Sequence, residues 1–164
     1  MAIKKVEIER LTLKSSKSFG AVVTALKAAV GQPDMVEFVK ETRSARTFSD
    51  LESTVRKGLS PKGLMLFMEL DQGGVLRKET GLATPKIVRF LIGNPLIMKE
   101  MAKHVPDAGS YAPVTVLVDE RADGVHLSYD RMASFLAPYA NAVALEVARE
   151  LDRKVEKILQ QAAA

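Results

Sequence analysis

The 164-residue sequence has no cysteine, no tryptophan and only two histidines. The absence of cysteine excludes disulfides, thiolate zinc sites and cysteine nucleophiles, and it suits a reducing cytoplasm best. The sequence also lacks an apolar run close to the roughly 20 residues that span a bilayer. Its N-terminus alternates polar and apolar residues and does not form the apolar block of a secretory signal. We therefore expect a cytoplasmic protein with no membrane partner.

Aromatic residues are few and charges are mixed, which argues against a nucleic-acid partner. Phe and Tyr make up 5% of the chain, so few side chains could stack on bases. The net charge of +4 arises from 24 basic residues scattered among 20 acidic ones, without a basic stripe. The 47% of apolar residues are enough for one substantial core, and we predict a single domain over residues 1–164.

The first half of the chain predicts two strands separated by helices. Apolar residues alternate over residues 6–13 with a change of phase near the middle, which predicts a strand with a bulge. A short amphipathic helix follows. Residues 33–58 then predict two more helices, the second opened by a capping box of Ser49 and Glu52. The apolar run over residues 64–70 is short and well bounded, and predicts an interior strand.

The second half contains the clearest local signals. Gly93, Asn94 and Pro95 follow an apolar strand and predict an abrupt strand-to-helix corner, in which Asn94 caps the helix and Pro95 occupies its first position. The pair at 123–124, Asp-Gly, lies between two valine-rich segments and predicts a β-hairpin. A continuous apolar stripe over residues 139–158 predicts a long C-terminal helix.

This order of elements predicts an α+β two-layer sandwich. In this arrangement a mainly antiparallel sheet is covered on one side by helices, including the long C-terminal helix, and residues 33–58 form a helical insertion. A helix of about 23 residues is near 35 Å long, which exceeds the width of a small sheet. We therefore expect a homodimer, in which the distal residues Val155, Ile158 and Leu159 contact the second subunit.

Several short motifs together resemble a bacterial family of unknown function. They are Ser18-Phe19, the segment from Gly63 to Asp71, Gly93-Asn94-Pro95, Pro106, Pro113, Asp123-Gly124 and Ser128-Tyr129. The chain resembles domain-of-unknown-function family 302 over nearly its whole length, apart from residues 33–58 and Arg131, where many members have proline. The resemblance implies a two-layer fold of the TATA-box-binding-protein-like class, a dimer, and neither an established catalytic residue nor a cofactor.

Methionines near the predicted corner suggest an apolar binding cavity. Thioether side chains repack around ligands of varied shape, and a sheet with a helix across it most readily leaves space beneath that helix. The candidate ligand-binding residues are Gly93, Asn94, Met98, Met101, Tyr129 and Met132. Plain core packing is the alternative explanation for the methionines. Our leading hypothesis is a non-catalytic module that binds a small, largely apolar molecule between the sheet and the C-terminal helix.

Two other functions are compatible with the sequence. One is a protein–protein interaction module that acts through the inserted helices or the dimer surface. The other is a hydrolase or isomerase that uses His126, which shares a strand face with Ser128 and has Asp119 on the partner strand of the predicted hairpin. No metal-binding spacing such as His-Glu-x-x-His occurs, so we predict no metal site.

Overall fold

A five-stranded antiparallel sheet forms one layer of the computed structural model, which describes residues 3–164. The strands are β1 (Arg10–Ser15), β2 (Met65–Asp71), β3 (Ile87–Gly93), β4 (Val114–Arg121) and β5 (Gly124–Asp130). Their order across the sheet is β1-β5-β4-β3-β2, and each neighbouring pair is antiparallel. The predicted antiparallel sheet is confirmed, and β4 and β5 form the predicted hairpin.

Helices form the second layer and flank one edge of the sheet. They are α1 (Phe19–Ala28), α2 (Met35–Ser44), α3 (Phe48–Gly58), α4 (Gly73–Thr80), α5 (Pro95–Ala102), α6 (Met132–Leu136) and α7 (Ala142–Ala163). Residues of α1, α5, α6 and α7 share one apolar core with the sheet. The α+β two-layer arrangement and the long C-terminal helix are therefore confirmed.

The two faces of the sheet have different environments because side chains alternate along each strand. On the inner face, Phe90, Val116 and Leu127 are fully buried against the helical layer. We call the opposite side the outer face. Its side chains include Thr12, Met68, Leu70, Arg89, Leu91, Thr115, Leu117 and Ser128.

The distal half of α7 is buried within the chain itself. Val155, Ile158 and Leu159 are 2%, 1% and 0% exposed. The helix lies against α1, α5 and α6 and reaches the edge strand β1, where the Ser15 hydroxyl donates a hydrogen bond of 2.6 Å to the carbonyl of Ala163. The prediction that a second subunit covers these residues is wrong, because Val155, Ile158 and Leu159 belong to the core of the chain itself.

The segment of residues 33–58 is helical, as predicted, but its second helix begins earlier than expected. Thr47 caps α3 in a capping box with Asp50, so Ser49 already lies within the helix. α2 and α3 pack on the edge strand β2 through a small cluster of Phe38, Val55 and Met65.

The N-terminal strand is shorter than predicted. It begins at Arg10 and pairs with β5 in an unbroken register through Ser15, without a bulge. Residues 3–9 lie outside the sheet, and the backbone carbonyl of Glu9 accepts a hydrogen bond from the Arg131 amide. The alternation over residues 6–9 therefore does not correspond to strand pairing.

Candidate functional site

A partly open cleft of about 130 Å³ lies where the sheet meets α5 and α7. Its lining residues are Phe67, Gly93, Asn94, Pro95, Met98, Met101, Ala112, Pro113, Val114 and Leu151. Almost all of this surface is apolar. The cleft thus lies beside the long C-terminal helix and contains four of the six residues predicted to bind a ligand, namely Gly93, Asn94, Met98 and Met101.

The Gly-Asn-Pro corner shapes one wall of the cleft. The Asn94 Oδ1 atom accepts a hydrogen bond of 2.8 Å from the Leu96 amide, which confirms the predicted helix cap, and Pro95 occupies the first turn of α5. Gly93 keeps the wall open, because a Cβ atom there would lie only 3.3 Å from the Cβ of Pro113. The corner therefore turns the chain into α5 without placing a side chain from residue 93 at the cleft.

The size and polarity of the cleft restrict what it can hold. An engineered apolar cavity of about 150 Å³ accommodates benzene, so a volume near 130 Å³ suits a single ring or a short branched chain. Met101 is fully buried and Met98 is partly exposed, which places one flexible thioether at the base of the cleft and one closer to solvent. Both polar groups of the Asn94 side chain already have protein partners. Ligand binding here would therefore depend on apolar contact.

Tyr129 and Met132, the other two predicted ligand-binding residues, lie outside the cleft lining. They surround Asp152, a completely buried carboxylate on α7. Asp152 accepts hydrogen bonds from the Tyr129 hydroxyl at 2.6 Å, the Met132 amide at 2.8 Å and the Ala133 amide at 3.1 Å. This network joins β5, the start of α6 and α7. Its role is structural, because the carboxylate satisfies backbone amides at the start of α6.

Sequence reasoning missed Asp152, although the sequence contains a signal for it. Asp152 follows Leu151 and precedes Val155 by three positions, so it lies on the apolar stripe of α7 and not on the charged side. An acidic residue on a buried stripe needs hydrogen-bond donors nearby. Tyr129 and two backbone amides supply them.

The Tyr129–Asp152 contact predicts a loss of stability at alkaline pH. Burial and the adjacent Asp152 raise the pKa of Tyr129 above its ordinary value of 10.0, so the folded protein holds the phenol proton more tightly than the unfolded chain does. The stabilisation is fully present below pH 10 and declines above it, by about 1.4 kcal/mol per pH unit. Tyr129→Phe should cost about 2 kcal/mol at pH 7, since it removes a hydrogen bond to a charged group.

The difference in unfolding free energy between the unmodified protein and Tyr129→Phe should therefore narrow between pH 10 and pH 11. Urea unfolding of both proteins at a series of pH values measures this difference. A difference that stays constant across the series would exclude a raised pKa for this phenol.

The hairpin residues proposed for catalysis have other partners. Asp119 is paired with His126 in the strand register, but its carboxylate contacts the Arg121 guanidinium at 2.5 Å. The His126 Nε2 atom lies 2.9 Å from Asp123 Oδ1, and this hydrogen bond lowers the pKa of Asp123 to about 2. Within the part of the chain that the structure describes, the Nδ1 atom of His126 is buried without a hydrogen-bond partner. The histidine-to-carboxylate hydrogen bond of the hairpin thus involves Asp123, a residue of the turn, and not Asp119, the partner predicted for a catalytic histidine.

The fold and the cleft define an α+β two-layer protein with a small apolar site beside its C-terminal helix. A family model described as "Domain of unknown function DUF302" matches residues 38–162, and the chain belongs to this family. The matched region includes residues 38–58 and thus all of α3, so the expectation that the helical segment 33–58 departs from the family is wrong for these residues. No curated protein matches the chain.

The chain is also similar to a solved structure of the family. A crystal structure of an uncharacterized conserved DUF302 protein from Bacillus stearothermophilus matches with a TM-score of 0.66 and 12% sequence identity. The match covers 93% of this chain and 97% of the other chain, so the shared fold extends over nearly the whole length of both proteins.

Two further features of the described chain concern metals and membranes. Over residues 3–164 no group of three or more His, Asp and Glu side chains is placed to hold a metal ion. Within the same residues, no helix combines the length and the apolar character needed to cross a bilayer.

Proposed function

We propose that this protein is a non-catalytic module that binds a small, largely apolar molecule in the cleft between the sheet, α5 and α7. The cleft itself carries the proposal. It brings together Gly93, Asn94, Met98 and Met101, has almost entirely apolar walls, and is partly open to solvent. Concave apolar sites with few polar groups are the usual form of small-molecule sites.

The volume sets the chemical class of the ligand. A compact apolar group with the size of one aromatic ring or a branched chain of four to seven carbon atoms, roughly, would fill about 130 Å³. Any polar part of the ligand would remain at the opening, because the walls offer no free hydrogen-bonding side chain. Met98 and Met101 would adjust to the shape of the bound group.

Toluene is a suitable probe of this site, and methyl-labelled methionine provides the readout. Titration with toluene should shift the methyl NMR signals of Met98 and Met101, which line the cleft, and leave those of Met35 and Met132 unchanged. Ala112→Phe should weaken binding by about tenfold or more, because its ring would occupy the cleft. Ala112→Ser is the matched control, since it keeps the space free.

The decisive comparison is between the toluene affinities of Ala112→Phe and Ala112→Ser. Equal toluene binding by Ala112→Phe and Ala112→Ser would show that the ligand does not enter the cleft. Shifts at Met132 instead of Met98 would place the site at the Asp152 network. Thermal melting of both variants verifies that each is folded.

We also propose that the protein forms a homodimer through the outer face of the sheet. Met68 and Leu70 on β2 are 50% and 36% exposed, and the partly exposed Leu91 and Leu117 extend this apolar band across β3 and β4. With strands about 4.8 Å apart and about seven residues long, the face covers roughly 550 Å² per protomer. Two such faces approach the lower limit of about 1,200 Å² for specific interfaces.

Charges and sheet edges support a face-to-face dimer over an edge-to-edge one. On the outer face, Arg10 pairs with Asp130 at 2.6 Å and Arg89 donates to the Thr115 hydroxyl at 3.0 Å, so each of these two cations has a hydrogen-bond partner within the face. The edge strand β2 has a shift in register between Leu66 and Met68 and carries Glu69, features that oppose pairing with another strand.

Leu117→Lys should therefore separate the dimer into monomers. The substitution adds a charge at the centre of the proposed interface but leaves the inner face and its core unchanged. Light scattering should give twice the 17.9 kDa chain mass for the unmodified protein and the single mass for the variant. Leu82→Lys, at a position 63% exposed outside the sheet, is the control and should remain dimeric. A monomeric unmodified protein would rule out the homodimer.

A further inference from the structure

A second, larger depression lies on the other side of the Asn94 side chain. This groove of about 490 Å³ runs between α3, α5 and α7. Leu59, Leu96 and Val147 contribute apolar surface to it. Among the described residues, Asn94 is the one that lines both the groove and the cleft.

Two hydrogen bonds hold Asn94 in place between these spaces. Its Nδ2 atom donates to the Gly63 carbonyl at 2.9 Å, and its Oδ1 atom accepts from the Leu96 amide at 2.8 Å. Gly63 lies in the loop before β2 and lines the groove, whereas Asn94 lies at the start of α5. The side chain therefore spans from α5 to this loop, and turning it aside would break both bonds.

The groove presents a cation close to this partition. The Lys154 Nζ atom lies 3.9 Å from the position that a Cβ atom would occupy on Gly63. The neighbouring cations Arg56 and Lys99 are paired with Glu52 and Glu100. Glu150, the third acidic residue of the groove, lies 4.0 Å from Arg153, and within residues 3–164 Lys154 forms no ion pair with a carboxylate. An anionic group that reached the groove beside Asn94 would thus meet a cation without a carboxylate partner.

We propose that Asn94 is a specificity-determining residue that separates the cleft from the groove. Asn94 limits the cleft to a compact apolar group. It excludes unbranched carboxylic acids, because their chain would need to occupy both the cleft and the groove for their carboxylate to bind Lys154. This inference rests on the proposed function, because it concerns which apolar molecules the cleft accepts.

Asn94→Ser tests the partition without removing the helix cap. The serine hydroxyl can still accept from the Leu96 amide, but it is too short to reach the Gly63 carbonyl. Calorimetry would compare toluene with octanoate. We expect both proteins to bind toluene, and Asn94→Ser to bind octanoate about tenfold more tightly than the unmodified protein does. Adding Lys154→Gln to Asn94→Ser should remove that gain.

Each other outcome overturns a defined part of the proposal. Unchanged octanoate affinity in Asn94→Ser, with toluene still bound, would show that Asn94 does not select the ligand and would leave the proposed function intact. A gain that survives Lys154→Gln would exclude Lys154 as the carboxylate partner. Failure of both proteins to bind either probe would overturn the proposed function as well. Asn94→Gly also opens the partition and repeats the test if the serine variant is unfolded, because glycine is well tolerated at the position before a helix although it lacks a capping side chain.

Discussion

Replacing Asp152 with alanine is expected to lower the free energy of unfolding by about 4 kcal/mol. The substitution leaves the Tyr129 hydroxyl and the amides of Met132 and Ala133 without their acceptor in a site that is completely buried. A buried donor without a partner costs about 1–3 kcal/mol. The three donors lie in one small region, and water can replace the lost acceptor there only if the structure relaxes. Urea unfolding measures the loss directly.

Asp152→Asn is the matched control for this prediction. It preserves the volume and the Oδ1 acceptor of the Tyr129 hydroxyl and the Met132 amide, but its NH₂ group would face the Ala133 amide, which donates to Oδ2 in the unmodified protein. Its loss of stability should be smaller than that of Asp152→Ala. A loss below about 1 kcal/mol for Asp152→Ala would contradict the structural role of the network.

Introducing Asp at both Val155 and Ile158 is expected to unfold the protein. Both side chains are buried within the chain, so two carboxylates would enter the core between α7, α1 and the sheet. Burying polar groups without partners costs several kcal/mol each, which is comparable with the whole stability of a typical domain, about 5–15 kcal/mol. Circular dichroism should show loss of cooperative thermal melting.

The control for this variant lies on the same helix. Val143 is 55% exposed in the first turn of α7, and Val143→Asp should change stability by no more than about 0.5 kcal/mol. A double variant that stays folded and becomes monomeric would mean that Val155 and Ile158 contact a second subunit after all. The structure predicts the opposite result.

The parts of the fold that were predictable from sequence depend on local conformational preferences. Asn94 caps α5 and Pro95 fits its first turn because both effects involve only adjacent backbone groups. The hairpin turn between β4 and β5 is similarly local, and Gly124 has a φ of 137°, which glycine adopts most easily. The predicted site residues at and after the Gly93-Asn94-Pro95 corner, including Met98 and Met101, consequently line the same cleft.

The features that the sequence could not predict are contacts between residues that are distant along the chain. The apolar stripe of α7 shows that Val155 and Ile158 are covered, but the pattern does not specify whether α1, β1 or another subunit covers them. The sequence grouped Tyr129 and Met132 with the cleft residues, but in the structure the Tyr129 hydroxyl and the Met132 amide donate hydrogen bonds to Asp152. Their assignment required knowledge of which position of α7 faces β5.

Native mass spectrometry of the protein purified from its own host tests the central claim most directly. The unmodified protein should carry a small apolar molecule as added mass, and Ala112→Phe, expressed in the same cells, should lack it because its side chain fills the cleft. Ala112→Ser should retain the molecule. The same added mass on both variants, or a bare chain mass for the unmodified protein, would contradict binding in this cleft.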